Sequence, residues 1–366
     1  MEVLAFDVAD AALRDRFFAL GEELLARDAS RAWVDPAELR RQVEAPYLGP
    51  GSQRLFLVAD GGRDLARCVA LVNPDLRAPD GTPVGAIGQF EARPEEAAVQ
   101  ALLDAAVAWL KGRGLSRVWG PFNGSIWHAY RFMTRGQERD PFLGEPRNPP
   151  HYPELFQRAG FAPAARWFSW DLAAPHLEGM RAAAAQMRKA GITQAGYRYH
   201  PFDLAAFDRE LERVHGLLSE GFSENLGFTP IPLAEFRALF GPMRSVIIPG
   251  LAPLVTGPGD PERPVGFGYV FPDLAPTLAL ARAERRALDP AFVRDHPPRR
   301  LVFHTMVSLK SERGRGLVEW GLAELMDHVA ELGFQAAVGA LAKEGPTIYH
   351  KTGQPSREYT LFAREA

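Results

Sequence analysis

The stretch Leu301-Val302-Phe303-His304-Thr305-Met306-Val307-Ser308-Leu309, followed by Lys310-Ser311-Glu312-Arg313-Gly314-Arg315-Gly316-Leu317-Val318, decides how this chain is read. Its first nine residues are mostly apolar, β-branched or aromatic, and predict a buried strand over 301–309. An amphipathic helix over 316–332 follows, with Val318, Leu322, Leu325 and Val329 on one face and Gly333 at its end. A strand that feeds a glycine turn into a helix presents unpaired N–H groups and the positive end of the helix dipole at one spot. Two arginines add counter-charge there, an arrangement that suits a pyrophosphate. Taken alone, such a turn is more often a solvated loop; the flanking strand and helix carry the ligand reading. No Walker lysine and no G-x-G-x-x-G accompany it, which sets aside the commoner phosphate loops.

Working outward, the second half predicts strands at 196–200, 252–255 and 265–271, and helices at 205–218 and 233–240. A charged, proline-containing insertion joins 265–271 to 301–309. Past the helix come a strand at 335–338, a helical turn near 347–351 and a strand at 358–362. The first half repeats the order: a strand at 2–6, helices at 11–26 and 36–43, and strands at 54–59, 65–72 and 84–90. A helix at 95–112, a strand at 116–119, a long polar loop to about 150, a helix at 153–157 and a strand at 166–172 complete it. An offset of 219 lays Gly114 on Gly333, Gly120 on Gly339, Leu103 on Leu322 and Val99 on Val318. Helix, glycine cap, strand and second glycine falling in phase indicate duplication. The fold class is therefore α/β (α+β), with two units at 1–175 and 176–366.

Composition narrows the chemistry. The 366 residues are 46% hydrophobic and 24% charged, enough for a sizeable core and against wholesale disorder. A net charge of −3 gives no basic field for a nucleic-acid backbone, so no nucleic acid is expected as a partner. The lone Cys68 excludes an intrachain disulfide, an all-cysteine zinc site and a C-x-x-C pair. No tight histidine spacing suggests a metal, and Gly124-Ser125 is not set in a G-x-S-x-G elbow. No long apolar run predicts a membrane span, and acids stand near the N-terminus where a signal peptide would be basic. The expectation is a soluble, cytoplasmic protein.

With Arg313, Gly314, Arg315, Gly316 and Leu317 on the page, the sequence resembles the GNAT superfamily of acyl-CoA-dependent N-acyltransferases. Val318 stands where Gly or Ala is usual. The segment Tyr349-His350-Lys351-Thr352-Gly353 matches that family's later turn, although Ala342 replaces its frequent Asn. Closest are bacterial tandem-GNAT proteins, whose recurring segments Asn225-Leu226-Gly227-Phe228-Thr229-Pro230 and Asn148-Pro149-Pro150-His151-Tyr152-Pro153 resemble. The resemblance implies two domains, each a mixed central sheet flanked by helices, and acetyl-CoA or another acyl-CoA as co-substrate. It assigns cofactor binding to Met306, Val307 and Ser308, at a strand bulge, together with Arg313–Leu317. Tyr349 would protonate the departing thiolate, and His304 is the candidate base. The acceptor would be a small-molecule amine or a peptide, with Asn123, Trp127 and Tyr130 as candidate lining; a homo-oligomer is allowed. In the first unit the phosphate turn becomes Pro94-Glu95-Glu96-Ala97 and the tyrosine turn becomes Phe156-Gln157-Arg158-Ala159-Gly160, so that unit is expected to have lost the cofactor site. Two rivals stay open: a non-catalytic acyl-CoA or small-molecule binding module, and aminoacyl transfer from charged tRNA.

Overall fold

A computed structural model describes residues 1–189 and 196–366. The strands are β1 Glu2–Phe6, β2 Gln53–Asp60, β3 Arg63–Arg77, β4 Pro83–Ala92, β5 Arg117–Gly120, β6 Phe132–Arg135, β7 Ala162–Ala173, β8 Arg198–His200, β9 Leu254–Thr256, β10 Pro264–Pro272, β11 Leu301–Ser308, β12 Ala336–Lys343 and β13 Arg357–Glu365. The helices are α1 Ala11–Ala26, α2 Pro36–Glu44, α3 Glu96–Lys111, α4 Tyr152–Arg158, α5 Ala174–Lys189, α6 Phe207–Gly221, α7 Leu233–Phe240, α8 Ala275–Ala283, α9 Pro290–Asp295 and α10 Leu317–Glu331. Local chemistry sets several starts. Asp10, Asp35 and Asp289 cap α1, α2 and α9 through side-chain oxygens, and Pro36 and Pro290 follow two of these caps in the first turn.

The strands form one sheet in the order β1-β2-β3-β4-β5-β13-β7-β12-β11-β10-β9-β8, with β6 also paired to β13. Only β4 with β5 and β11 with β12 run parallel among the strand pairs of the described residues. The order shows an exchange. The last strand of the chain, β13, lies between β5 and β7 in the first half, while β7 pairs with β12 of the second. Each sequence half thus ends in a strand that completes the other's sheet. The join is tied by Arg357, 0% exposed, whose guanidinium reaches Glu145 at 3.0 Å and Asp171 at 2.5 Å. Apolar clusters cover both faces, with α3 and α4 over one side of the first half and α1 and α2 over the other. In the second half, α5 and α10 cover one side and α6 and α7 the other.

Three details differ from the sequence expectation. The bulge in β11 falls at His304, which the register with β10 skips between Phe303 and Thr305, and not at 306–308. The polar loop after β5 contains β6, whose partner β13 comes from the far end of the chain. The insertion before β11 folds into α8 and α9. Among the described residues no helix is long and apolar enough to cross a membrane.

Candidate active site

Both parallel pairs hold for three residues and then part. β4 pairs with β5 through Ala86↔Trp119, and β11 with β12 through Phe303↔Gly339. Beyond these points Gln89–Glu91 and His304–Met306, paired on their other edge only, line one cavity of about 1050 Å3 shared by the two halves. At that size it exceeds the roughly 300–1,000 Å3 typical of a single small-ligand pocket. Much of its wall is apolar: Phe202, Leu211, Leu218, Phe236, Phe240 and Ile247 on the α6–α7 side, and Phe90, Phe132 and Trp33 on the other.

His304 opens onto this cavity from the bulge. Its Nδ1 lies 2.9 Å from Thr305 Oγ1, and its ring stands beside Tyr269 and Phe271. The ring is exposed on the wall of this cavity, which is partly open to solvent, with protein packed around its other sides. Burial, then the positive charge of Arg131, pushes its pKa down to about 4, so the imidazole is neutral at physiological pH.

Tyr349 reaches the same cavity from the 3-10 turn Ile348–Thr352. Its ring stacks on Trp170 at 5.2 Å, and Trp170 Nε1 donates to Gly353 O at 3.1 Å, fixing the turn. The other face lies so close to Gly339 that a Cβ there would sit 2.5 Å from the ring. The first half repeats the contact. Phe156 lies on Gly120, where a Cβ would be 2.8 Å from its ring. The two glycines are those the 219 offset aligns, but Phe156 is fully buried and has no hydroxyl. Burial raises the Tyr349 pKa, which keeps its proton available for donation.

The first half closes its own strand gap. Asn123 Oδ1 accepts from Gln89 N at 2.9 Å and fills the space over Gly88, where a Cβ would lie 2.4 Å away. Gln89 is the bulged position there, with φ 51. The same offset places Ala342 opposite Asn123, and Ala342 lines the cavity with no side chain able to plug the gap. Of the other candidate acceptor residues, Trp127 inserts among Phe222, Phe228 and Phe236 and donates from Nε1 to Thr229 O. Tyr130 packs on Phe122 and Trp167. All three border the cavity, with Trp127 also knitting the first half to the second.

The glycine turn lies outside the main cavity. Gly314 and Gly316 have φ of 78 and 77, in the left-handed region that glycine tolerates, and Gly316 is the N-cap of α10. Nothing stands within 4 Å of a Cβ at Gly314. A narrow cleft lined by Met306, Ser308, Leu317, Val318 and Gly321 runs beside the turn, with Met306 and Val318 also on the cavity wall. Val307 borders this cleft too, but its side chain is packed in the α6–α7 core. Arg313 and Lys310 are exposed and held by Glu224, while Arg315 contacts Glu312 and Tyr197. Two left-handed glycines at a helix start, with open space over Gly314 and the exposed Arg313 and Arg315 alongside, fit a pyrophosphate. The first-half counterpart carries Glu95 and Glu96, paired to Arg63 and Arg158.

Two neighbours of the site carry no sequence signal. Arg131 projects into the cavity from the loop after Tyr130, and Trp170 supports Tyr349 from the exchanged strand β7. No spacing rule singles out either one; both are placed by strands distant in sequence.

No family model matches the chain. It is 28% identical over 238 residues to a protein named bacterial ceramide synthase from Caulobacter vibrioides, a match covering 63% of this chain and 61% of that protein. It is 23% identical over 240 residues to the protein YghO of Escherichia coli, covering 64% and 59%. Each match thus spans less than two thirds of the relative's length. Among solved structures, a tandem GNAT protein from the clavulanic acid biosynthesis pathway superposes with a TM-score of 0.52 at 12% identity, over 100% of this chain and 98% of that one. A probable N-acyltransferase from Enterococcus faecalis gives 0.56 at 9% identity, over 100% and 72%.

Proposed function

We propose that this chain, which has the tandem GNAT fold, is an acyl-CoA-dependent N-acyltransferase with one transfer site, in its second half, acting on an amine that carries a long apolar chain. The observation that carries this reading is the large cavity whose lining includes both His304 and Tyr349 together with an extensive apolar wall. The ceramide synthase among the relatives supports the same substrate class. In this scheme the amine nitrogen attacks the thioester carbonyl and the C–S bond breaks. His304 Nε2 takes the amine proton and Tyr349 gives its own to the leaving thiolate. The apolar wall and the Arg131 charge both favour the free-base form of a bound amine, which is the form that attacks. The reading is tested by incubating the protein with long- and short-chain acyl-CoAs and a panel of alkylamines and amino alcohols, following free thiol and amide mass. Amide formation that increases with acceptor chain length is expected. Acyl-CoA binding with no amide from any amine would favour a binding module.

A further inference from the structure

Arg131 is a charge without a counter-ion inside the molecule. It is 9% exposed, and its Nε and Nη1 are buried with no hydrogen-bond partner. No carboxylate among the described residues lies within ion-pair distance of it. The other two deeply buried arginine side chains on the cavity wall are matched: Arg31 by Asp28 and Glu91, and Arg147 by Glu145. Arg131 is instead held by rings, its guanidinium 4.0 Å from the centre of Tyr130 and 4.6 Å from that of Trp167. Ring faces steady a cation but do not satisfy its N–H donors as an anion does. The backbone adds a second peculiarity. Arg131 has φ 71, a left-handed conformation that a residue with a side chain seldom adopts. Both features burden the fold, and such features gather where a ligand is bound. The burden falls beside the transfer centre, since the Arg131 charge is felt at His304.

We propose that Arg131 recognises an anionic oxygen group, a carboxylate or phosphate monoester, on the acceptor amine. With Nε and Nη1 buried and unpartnered, the guanidinium is the donor group on this part of the cavity wall. The acceptor is then an amphiphile whose chain lies on the apolar wall while its headgroup bears the amine toward His304 and the anion toward Arg131. The inference rests on the cavity being the acceptor site, but its first test needs no acyl-CoA.

Isothermal titration of the full chain with dodecyl phosphate, laurate and dodecanol separates charge from chain. At least tenfold tighter binding of the two anions than of dodecanol is expected. Equal affinities in the unaltered protein overturn the proposal, with no variant needed. Arg131→Met should remove the preference and leave dodecanol binding intact; a preference that survives in that variant also overturns it. Should Arg131→Met not fold, Arg131→Lys retains a charge but loses the planar fork, and is expected to show a reduced preference. In the transfer assay, alkylamines with and without a carboxylate next to the amine are compared. A kcat/KM advantage for the anionic acceptors, lost in Arg131→Met, places the anion on the acceptor. Anion binding without that advantage shows that the group belongs to another ligand and overturns the assignment. Absence of any transfer counts against the proposed activity, and the binding arm still decides the role of Arg131.

Discussion

Tyr349 and His304 make separable predictions at the scale of the residue. Tyr349→Phe keeps the ring between Trp170 and Gly339 and removes the hydroxyl. Acyl-CoA affinity should be retained while kcat falls about 10²-fold, the lower range for a lost general acid. Unchanged turnover would leave Tyr349 as packing. For His304 the sign follows from a pKa pushed down to about 4. The neutral, proton-accepting ring exists above that value and is lost as pH falls through it. At saturating acceptor, kcat should be insensitive to histidine titration between pH 7 and about 5 and drop near 4. A limb centred near 6.5, the ordinary histidine value, would mean that burial and Arg131 do not act on it.

At the scale of the element, the turn before α10 and its acidic counterpart before α3 predict a single binding event per chain. Calorimetry with acetyl-CoA or a longer acyl-CoA should give a stoichiometry near one. Gly314→Asp puts a side chain on a left-handed backbone, costing about 1–2 kcal/mol, and a negative charge at the helix start. The space around Gly314 is open, so the variant should fold and lose acyl-CoA binding together. Intact affinity would remove the turn from the site. The duplication behind this prediction was legible in the sequence, because Gly120 and Gly339 fall in phase and the structure puts an aromatic ring on each. What the phase could not reveal is that Asn123 plugs the first gap and Ala342 leaves the second open.

At the scale of the whole molecule, the strand exchange makes the halves interdependent. Without β13 the first half loses the neighbour of β5, and Glu145 loses Arg357. Glu145 keeps Arg147, so the larger loss is apolar packing: Tyr359, Leu361 and Phe362 of β13 fill both cores of the first half. The segment 1–175 expressed alone should therefore show no cooperative unfolding transition by circular dichroism, while the full chain unfolds in one. A folded, cooperatively melting 1–175 would show that the exchange is dispensable.

The sequence by itself determined the order of strands and helices, their repetition, and the glycine turn that begins α10, because apolar periodicity and left-handed turns are properties of neighbours along the chain. It also marked His304, Tyr349, Asn123, Trp127 and Tyr130, which the fold gathers around one cavity. Tertiary structure alone decided where β13 sits, that the bulge falls at His304, and that β6 and Trp170 serve strands and turns from the opposite half. It alone left Arg131 buried and without an ion-pair partner on the cavity wall that also carries His304. Pairing between residues more than a hundred positions apart carries no local signature. Its outcome depends on which edges and faces meet when the two halves close on each other.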